Sequence, residues 1–160
     1  MLKELRITAM QQIDIFYAKA AAFCKFLAET TISESSAESL LVFIMELYVA
    51  GVQLPDMQPD TGDPVKNVPY LHVNADKNFF PYYWEIFDPW EESPPVCGHL
   101  IDDLEAIACN LMNGIKEYEA GKFGNAVFTW KFGLNIMWGK NATGALRALH
   151  ALRVKDAPCR

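Results

Sequence analysis

Between residues 5 and 28 the apolar side chains recur at steps of three and four: Met10, Ile13, Tyr17, Ala20, Cys24 and Leu27. An α-helix turns once in 3.6 residues, so this spacing lays them along one face. Phe16 and Phe23 widen the stripe to the breadth a bundle helix buries, while Gln11, Gln12, Asp14, Lys19 and Lys25 fall on the wet side. The polar run 30–36 ends this helix. Ser35, followed by Glu38, reads as a capping box that opens a second helix over 36–54. That segment is apolar almost all round, which predicts a helix deep in the bundle.

Pro55 closes the second helix, and Pro59, Pro64 and Pro69 punctuate a connection far longer than the usual 4–6 residues or so. Connections of this length are commonly functional or loosely ordered. The run 76–87 reads as a short aromatic helix with Asp76 as its N-cap and Pro81 near its start, and Asp88-Pro89 ends it. Ser93-Pro94-Pro95 is a rigid spacer. Over 98–120 a clean amphipathic pattern returns with Leu100, Leu104, Ile107, Ala108, Leu111, Ile115 and Tyr118, and Gly121 is the expected stop. The last helix is read over 122–154. Phe123, Val127, Trp130, Leu134, Trp138, Ala145, Leu149 and Leu152 line one face of it, with Phe128, Phe132 and Ile136 on a second. Gly133, Gly139 and Gly144 within it predict close packing of a neighbour, or a bend near Gly139.

The pattern therefore predicts an all-α fold, an antiparallel bundle of four long helices with one short aromatic helix in a long crossover loop. A single domain over 1–160 is expected, with a helix pair over 1–54, the crossover over 55–97, a second pair over 98–154 and a tail at 155–160. Hydrophobic residues at 51% and charged residues at 21% suit a folded chain rather than a disordered one.

The net charge of −6, with 14 scattered basic residues, argues against a phosphate-backbone binder, and no nucleic acid is expected. Arg147, Arg153, Lys155 and Arg160 form the densest basic group; at the end of a helix such residues meet the negative end of its dipole. No membrane span is expected, because Glu46 and Gln53 interrupt the apolar stretch 40–54 and it falls short of the roughly 20 residues a span requires. Residues 1–6 mix both charge signs and lack the apolar core of a secretory signal. Cys24, Cys97, Cys109 and Cys159 stand far apart, and read as reduced thiols in a cytoplasmic protein.

Candidate chemistry is sparse. Asp60-Thr61-Gly62 has the look of an aspartic protease triplet, but that chemistry needs two copies on paired β-loops. The acids of this stretch, Asp56, Asp60 and Asp63, do not fit a calcium loop. None of His72, His99 and His150 has the Glu three residues before it that a di-iron bundle site needs. Glu85-Ile86-Phe87-Asp88 matches one half of the magnesium motif of all-α nucleotide pyrophosphatases, but Pro95 stands where the other half needs an acid. His99, Asp103 and Asn110 share a flank that borders the apolar face of their helix, which suits either a cleft wall or a capped first turn. No nucleophile motif and no phosphate-cradling Gly-rich loop is present. The most unusual feature is the aromatic run Phe79-Phe80-Pro81-Tyr82-Tyr83-Trp84, with Phe87 and Trp90. Such a run either caps one end of the bundle or, where it stays exposed, docks another protein or a second copy of the chain.

Several pieces of the second half resemble a bacterial family known only as domain of unknown function 5063. They are Tyr83-Trp84-Glu85-Ile86-Phe87-Asp88-Pro89, Leu100-Ile101-Asp102-Asp103-Leu104, Ala126-Val127-Phe128-Thr129-Trp130-Lys131-Phe132, Trp138-Gly139 and Ala145-Leu146-Arg147-Ala148-Leu149-His150. Where that family usually carries His, this chain has Met137. The resemblance implies a helical bundle and brings no reaction, substrate or cofactor. If the shared residues mark a binding site, its members are Trp84, Glu85, Asp88, Asp103, Trp130, Trp138, Arg147 and His150. A structural pairing, such as a buried Asp103–Arg147 bridge with Trp packing, would leave the same trace. The leading expectation is a non-catalytic protein-interaction or ligand-binding domain without a cofactor. The alternative is a divalent-metal-dependent hydrolase of a phosphorylated small molecule, with its metal near Glu85, Asp88 and Asp103.

Overall fold

The computed structural model describes residues 2–155, with side chains from residue 8 onward; Cys159, Arg160 and most of the expected tail lie outside the described residues. Among the described residues five α-helices, a 3-10 turn (Glu34–Ser36) and one small hairpin follow one another: α1 (Leu2–Glu29), α2 (Ala37–Val52), β1 (Tyr82–Glu85), β2 (Val96–His99), α3 (Leu100–Glu119), α4 (Phe123–Ile136) and α5 (Trp138–Val154). α1 lies against α2 and α3, and α4 and α5 both lie against α2 and α3. The bundle is thus four-sided, with α4 and α5 as its broken fourth side. The all-α expectation holds, and the long helices fall close to where the periodicity puts them.

The stripe of α1 is buried as its spacing dictates. Ile13, Phe16, Ala20, Phe23 and Leu27 have no exposed surface, and they meet Leu40, Ile44 and Leu47 of α2 and Leu104, Ile107 and Leu111 of α3 in one apolar core. Two indoles anchor its far side. Phe16 packs 4.8 Å from Trp130 and 6.2 Å from Trp138 between ring centroids. Trp130 donates its indole N–H to the Leu111 carbonyl at 3.1 Å, and Trp138 donates to the Trp130 carbonyl at 2.9 Å. Both rings therefore bury their area without leaving a donor unpaired.

Four expectations need correction. The helix read over 122–154 breaks at Met137, whose φ of −130 and ψ of −92 are not helical. A Cβ on Gly139 would lie 1.9 Å from the Leu134 carbonyl oxygen, so only glycine lets the chain double back there. α2 is not buried all round: Val42, Met45, Val49 and Val52 stay 49–62% exposed along its outer face. With its preceding turn α2 is long and apolar enough to cross a membrane by length and composition alone. The Ser35–Glu38 box does not form either: Ser33 and Ser36 box a short 3-10 turn over Glu34–Ser36, with Ser36 Oγ accepting from the Ser33 N–H at 3.2 Å, and α2 follows it without a side-chain cap.

The fourth correction bears on function. Residues 76–87 form no helix; Asp76 makes a turn, accepting from Asn78 N–H on its side chain and from Phe79 N–H on its carbonyl. The chain then enters β1, which pairs antiparallel with β2 in the register Tyr82–His99, Tyr83–Gly98, Trp84–Cys97 and Glu85–Val96. Tyr and Trp favour strands, and the Pro81 ring gives no N–H to a helix.

The long connection is clasped to the bundle by side chains. The Glu117 carboxylate, almost fully buried, accepts from Val65 N–H at 2.6 Å and from the Asn125 amide at 3.1 Å. Glu105 accepts from Val73 N–H and from the Tyr70 hydroxyl. Asp60 and Asn125 exchange backbone-to-side-chain bonds at 2.9 and 3.0 Å, and Asp56 pairs with Lys131. Two of the three loop acids thus tether the loop.

Candidate functional site

β1 feeds side chains alternately to its two faces. Tyr82 and Trp84 point outward and are 52% and 72% exposed, while Tyr83 and Glu85 turn toward α5 and are half-buried. β2 runs directly into α3, and His99 Nδ1 caps that helix by accepting from Asp102 N–H at 3.2 Å. The hairpin is therefore fixed to the first turn of α3, one turn from Asp103.

Two glycines give Tyr83 its seat. A Cβ on Gly98, its cross-strand partner, would lie 2.5 Å from the Tyr83 ring, and a Cβ on Gly144 of α5 would lie 2.7 Å from its hydroxyl. Within this slot the hydroxyl donates to Asp103 Oδ2 at 2.6 Å. Glu85 follows on the same face of the strand, and its Oε2 would stand 2.6 Å from a Gly144 Cβ. On α5, Lys140, Gly144 and Arg147 are spaced i, i+4 and i+7, which puts both cations on the face that meets Glu85. Glu85, Asp103, Lys140, Thr143 and Arg147 line one open cavity of about 250 Å³, with Ile86, Phe87 and Pro89 as its apolar lip.

The electrostatics are those of a half-dry cleft. Burial, with the neighbouring Glu85 charge adding to it, pushes the Asp103 carboxyl up to about 6, although the Tyr83 hydrogen bond opposes the shift. Burial and the Asp103 bond push the Tyr83 hydroxyl upward too, so it stays protonated. Across the cavity the opposite charges do not close on one another. Among the described residues no ion pair within 4.0 Å joins Glu85 or Asp103 to Lys140 or Arg147. Lys140 Nζ instead lies over the Phe87 ring, 5.0 Å from its centroid.

Of the eight residues singled out in the sequence, Glu85, Asp103 and Arg147 come together in this cavity. Trp130 and Trp138 are core residues with no exposed surface. Trp84 lies on the outer face of the hairpin, and His150 is exposed on α5 outside the cavity lining. Asp88 turns away to accept from Trp90 N–H at 2.9 Å. The buried Asp103–Arg147 bridge is not formed: Asp103 bonds Tyr83, and Arg147 is exposed. The sequence reading did not place Tyr83, Lys140 or Gly144 in the site, although Tyr83 stood in the aromatic run and Gly144 was expected to admit a close neighbour, as it does. The i, i+4, i+7 spacing on α5 was a usable signal; the strand that presents Tyr83 was not.

A second cavity of about 330 Å³ lies beside α3, lined in part by Tyr70, Glu105, Asn110 and Met137. Asn110 Oδ1 is buried with no hydrogen-bond partner, but it faces Gly133 of α4, where a Cβ would stand 2.2 Å away. Among the described residues no group of three or more His, Cys, Asp or Glu is arranged to hold a metal ion.

The fold has a counterpart among solved structures. The crystal structure of protein BF1032 from Bacteroides fragilis matches with a TM-score of 0.69 at 20% identity, covering 92% of this chain and 94% of that one. At that identity the likeness is one of fold. No curated protein matches the chain. The family model described as domain of unknown function (DUF5063) matches residues 8–155, so the resemblance seen in the second half extends through the first helix pair, and the chain belongs to that family.

Proposed function

We propose that the protein is a non-catalytic binding domain whose ligand occupies the cleft between the hairpin and α5, held by Glu85, Asp103, Lys140 and Arg147. The observation that carries this reading is the separation of those charges around an open cavity. Charges that line a concavity without pairing to one another are available to a ligand. The raised Asp103 carboxyl supports it, because a carboxylate kept half-dry costs stability and such groups gather at functional sites. Covalent chemistry has no foothold in this cleft. The Thr143 hydroxyl donates to the Lys140 carbonyl at 2.9 Å, and the Tyr83 hydroxyl, although it donates to the Asp103 carboxylate, is pushed upward by burial and stays protonated, so neither is an activated nucleophile.

A second reading, docking of a protein or a second copy of the chain, rests on the outer hairpin face. Phe80, Trp84 and Trp90 of the hairpin and its approaches are 72–94% exposed, and exposed aromatics favour interfaces. The metal-dependent hydrolase draws less support, because it needs a third acid beside Glu85 and Asp103 and the Asp88 carboxylate is engaged in its own loop. A cytoplasmic setting, read from the scattered free cysteines, belongs to the same proposal.

A thermal-shift panel tests the first reading against the third. Charged small molecules that raise the melting temperature of the native chain, but not of Glu85→Gln or Arg147→Gln, support the cleft. A shift given only by divalent cations with nucleotides would favour the hydrolase.

A further inference from the structure

We infer that the ligand of this cleft is a zwitterion, a small molecule carrying an ammonium and a carboxylate close together, of the α-amino acid class. This rests on the reading of the cleft as a binding site and names what that site would take. The charges lining the cavity are balanced, with two acids on the hairpin and α3 and two cations on α5. They are also sorted by wall. Glu85 Oε2 lies against the α5 backbone at Gly144, and Asp103 Oδ2 is held by Tyr83, so the acids sit on the inner side of the cleft. Arg147, one turn beyond Gly144, is exposed at the rim.

A ligand with one sign of charge would pair with one wall and leave the other wall's charges facing it at short range, which is repulsive in a partly desolvated cleft. A ligand with both signs satisfies both walls. Its ammonium donates to Glu85 and to the free oxygen of Asp103, and its carboxylate accepts from the planar fork of Arg147, a geometry that suits two parallel hydrogen bonds. The lip formed by Ile86, Phe87 and Pro89 offers an apolar contact for the side chain of such a molecule. A cavity of about 250 Å³ has room for an amino acid.

The probe is L-leucine, titrated against its two halves, isoamylamine and isocaproate, with amide shifts in two-dimensional NMR as the readout. The expected result is that leucine binds at least about tenfold more tightly than either half, with the shifts centred on Glu85, Asp103, Gly144 and Arg147. Glu85→Gln should bring leucine down to the affinity of isocaproate, and Arg147→Gln down to that of isoamylamine. If either half binds as tightly as leucine, the cleft reads a single charge and the zwitterion inference falls, while the cleft stands as a site. If none of the three perturbs these residues, the inference falls as well, and the broader panel above decides the fate of the cleft. Should a variant fail to fold, the comparison of leucine with its halves on the native chain decides alone.

Discussion

The Tyr83 hydroxyl meets Asp103 Oδ2 at 2.6 Å, which ties the centre of the hairpin to the first turn of α3 and sets the inner wall of the cleft. That bond orients a carboxylate that burial would otherwise leave without a fixed partner. It also holds Glu85, two residues along the strand, against α5.

Asp103 should leave a mark on the pH dependence of stability. Its carboxyl is raised from the ordinary 3.8 to about 6, so the folded state holds the proton more tightly between those values. Its contribution is present below about pH 4 and is lost as pH rises through about 6. Asp103→Asn, whose amide oxygen can still accept from Tyr83, should remove that part of the curve and gain about 1 kcal/mol at neutral pH, less than the full shift because solvent screens a partly exposed carboxyl. Urea unfolding of both chains from pH 4 to 8 checks it; parallel curves would refute the assignment.

Gly144 lets Glu85 and Tyr83 approach the backbone of α5. An alanine there would bring its Cβ within 2.6 Å of Glu85 Oε2 and 2.7 Å of the Tyr83 hydroxyl, so both side chains must move. Gly144→Ala is expected to cost about 1–3 kcal/mol and to weaken the Tyr83–Asp103 bond. Its signature is a change in the NMR signals of the Tyr83 ring and the Asp103 carboxyl, which distinguishes displacement from simple loss of helix packing.

The tryptophans should divide sharply. Trp130 has no exposed surface and bonds the Leu111 carbonyl, so Trp130→Ala should cost about 3–5 kcal/mol. Trp84 is 72% exposed on the outer face of the hairpin, and Trp84→Ala should change stability by no more than about 0.5 kcal/mol. Chemical denaturation of the two variants measures both.

How far the sequence could be read follows from the same physics. Long helices declare themselves because ten or more residues repeat one spacing, and α1 and α3 were legible for that reason. The four-residue strand β1 is too short to show alternation, and with Tyr82, Tyr83 and Trp84 apolar on both of its faces it carries no period at all. The break at Met137 was foreshadowed by Gly139 but not its extent, since it depends on Trp138 turning back to the Trp130 carbonyl. For the site, Glu85, Asp103 and Arg147 were legible as chemistry. Their separation across a cavity was not, because it depends on Tyr83 lying between two glycines far apart in the chain.

Glu117 tests the clasp on the long connection. Its buried carboxylate accepts from Val65 N–H and from Asn125, so Glu117→Ala leaves both donors unpaired. The expected cost is about 1–3 kcal/mol, with faster hydrogen exchange at Val65 and little change at the Tyr83 amide. Equal acceleration at both would mean that loop and hairpin open as one unit.

The central claim, that the cleft between hairpin and α5 is where this protein binds, is tested most directly by mapping amide shifts with a panel of small amines, carboxylates, phosphates and zwitterions. The account predicts that at least one class perturbs Glu85, Asp103, Gly144 and Arg147 together, and that Glu85→Gln or Arg147→Gln weakens the effect at least about tenfold. Perturbations that gather elsewhere, or that survive both substitutions unweakened, would contradict it.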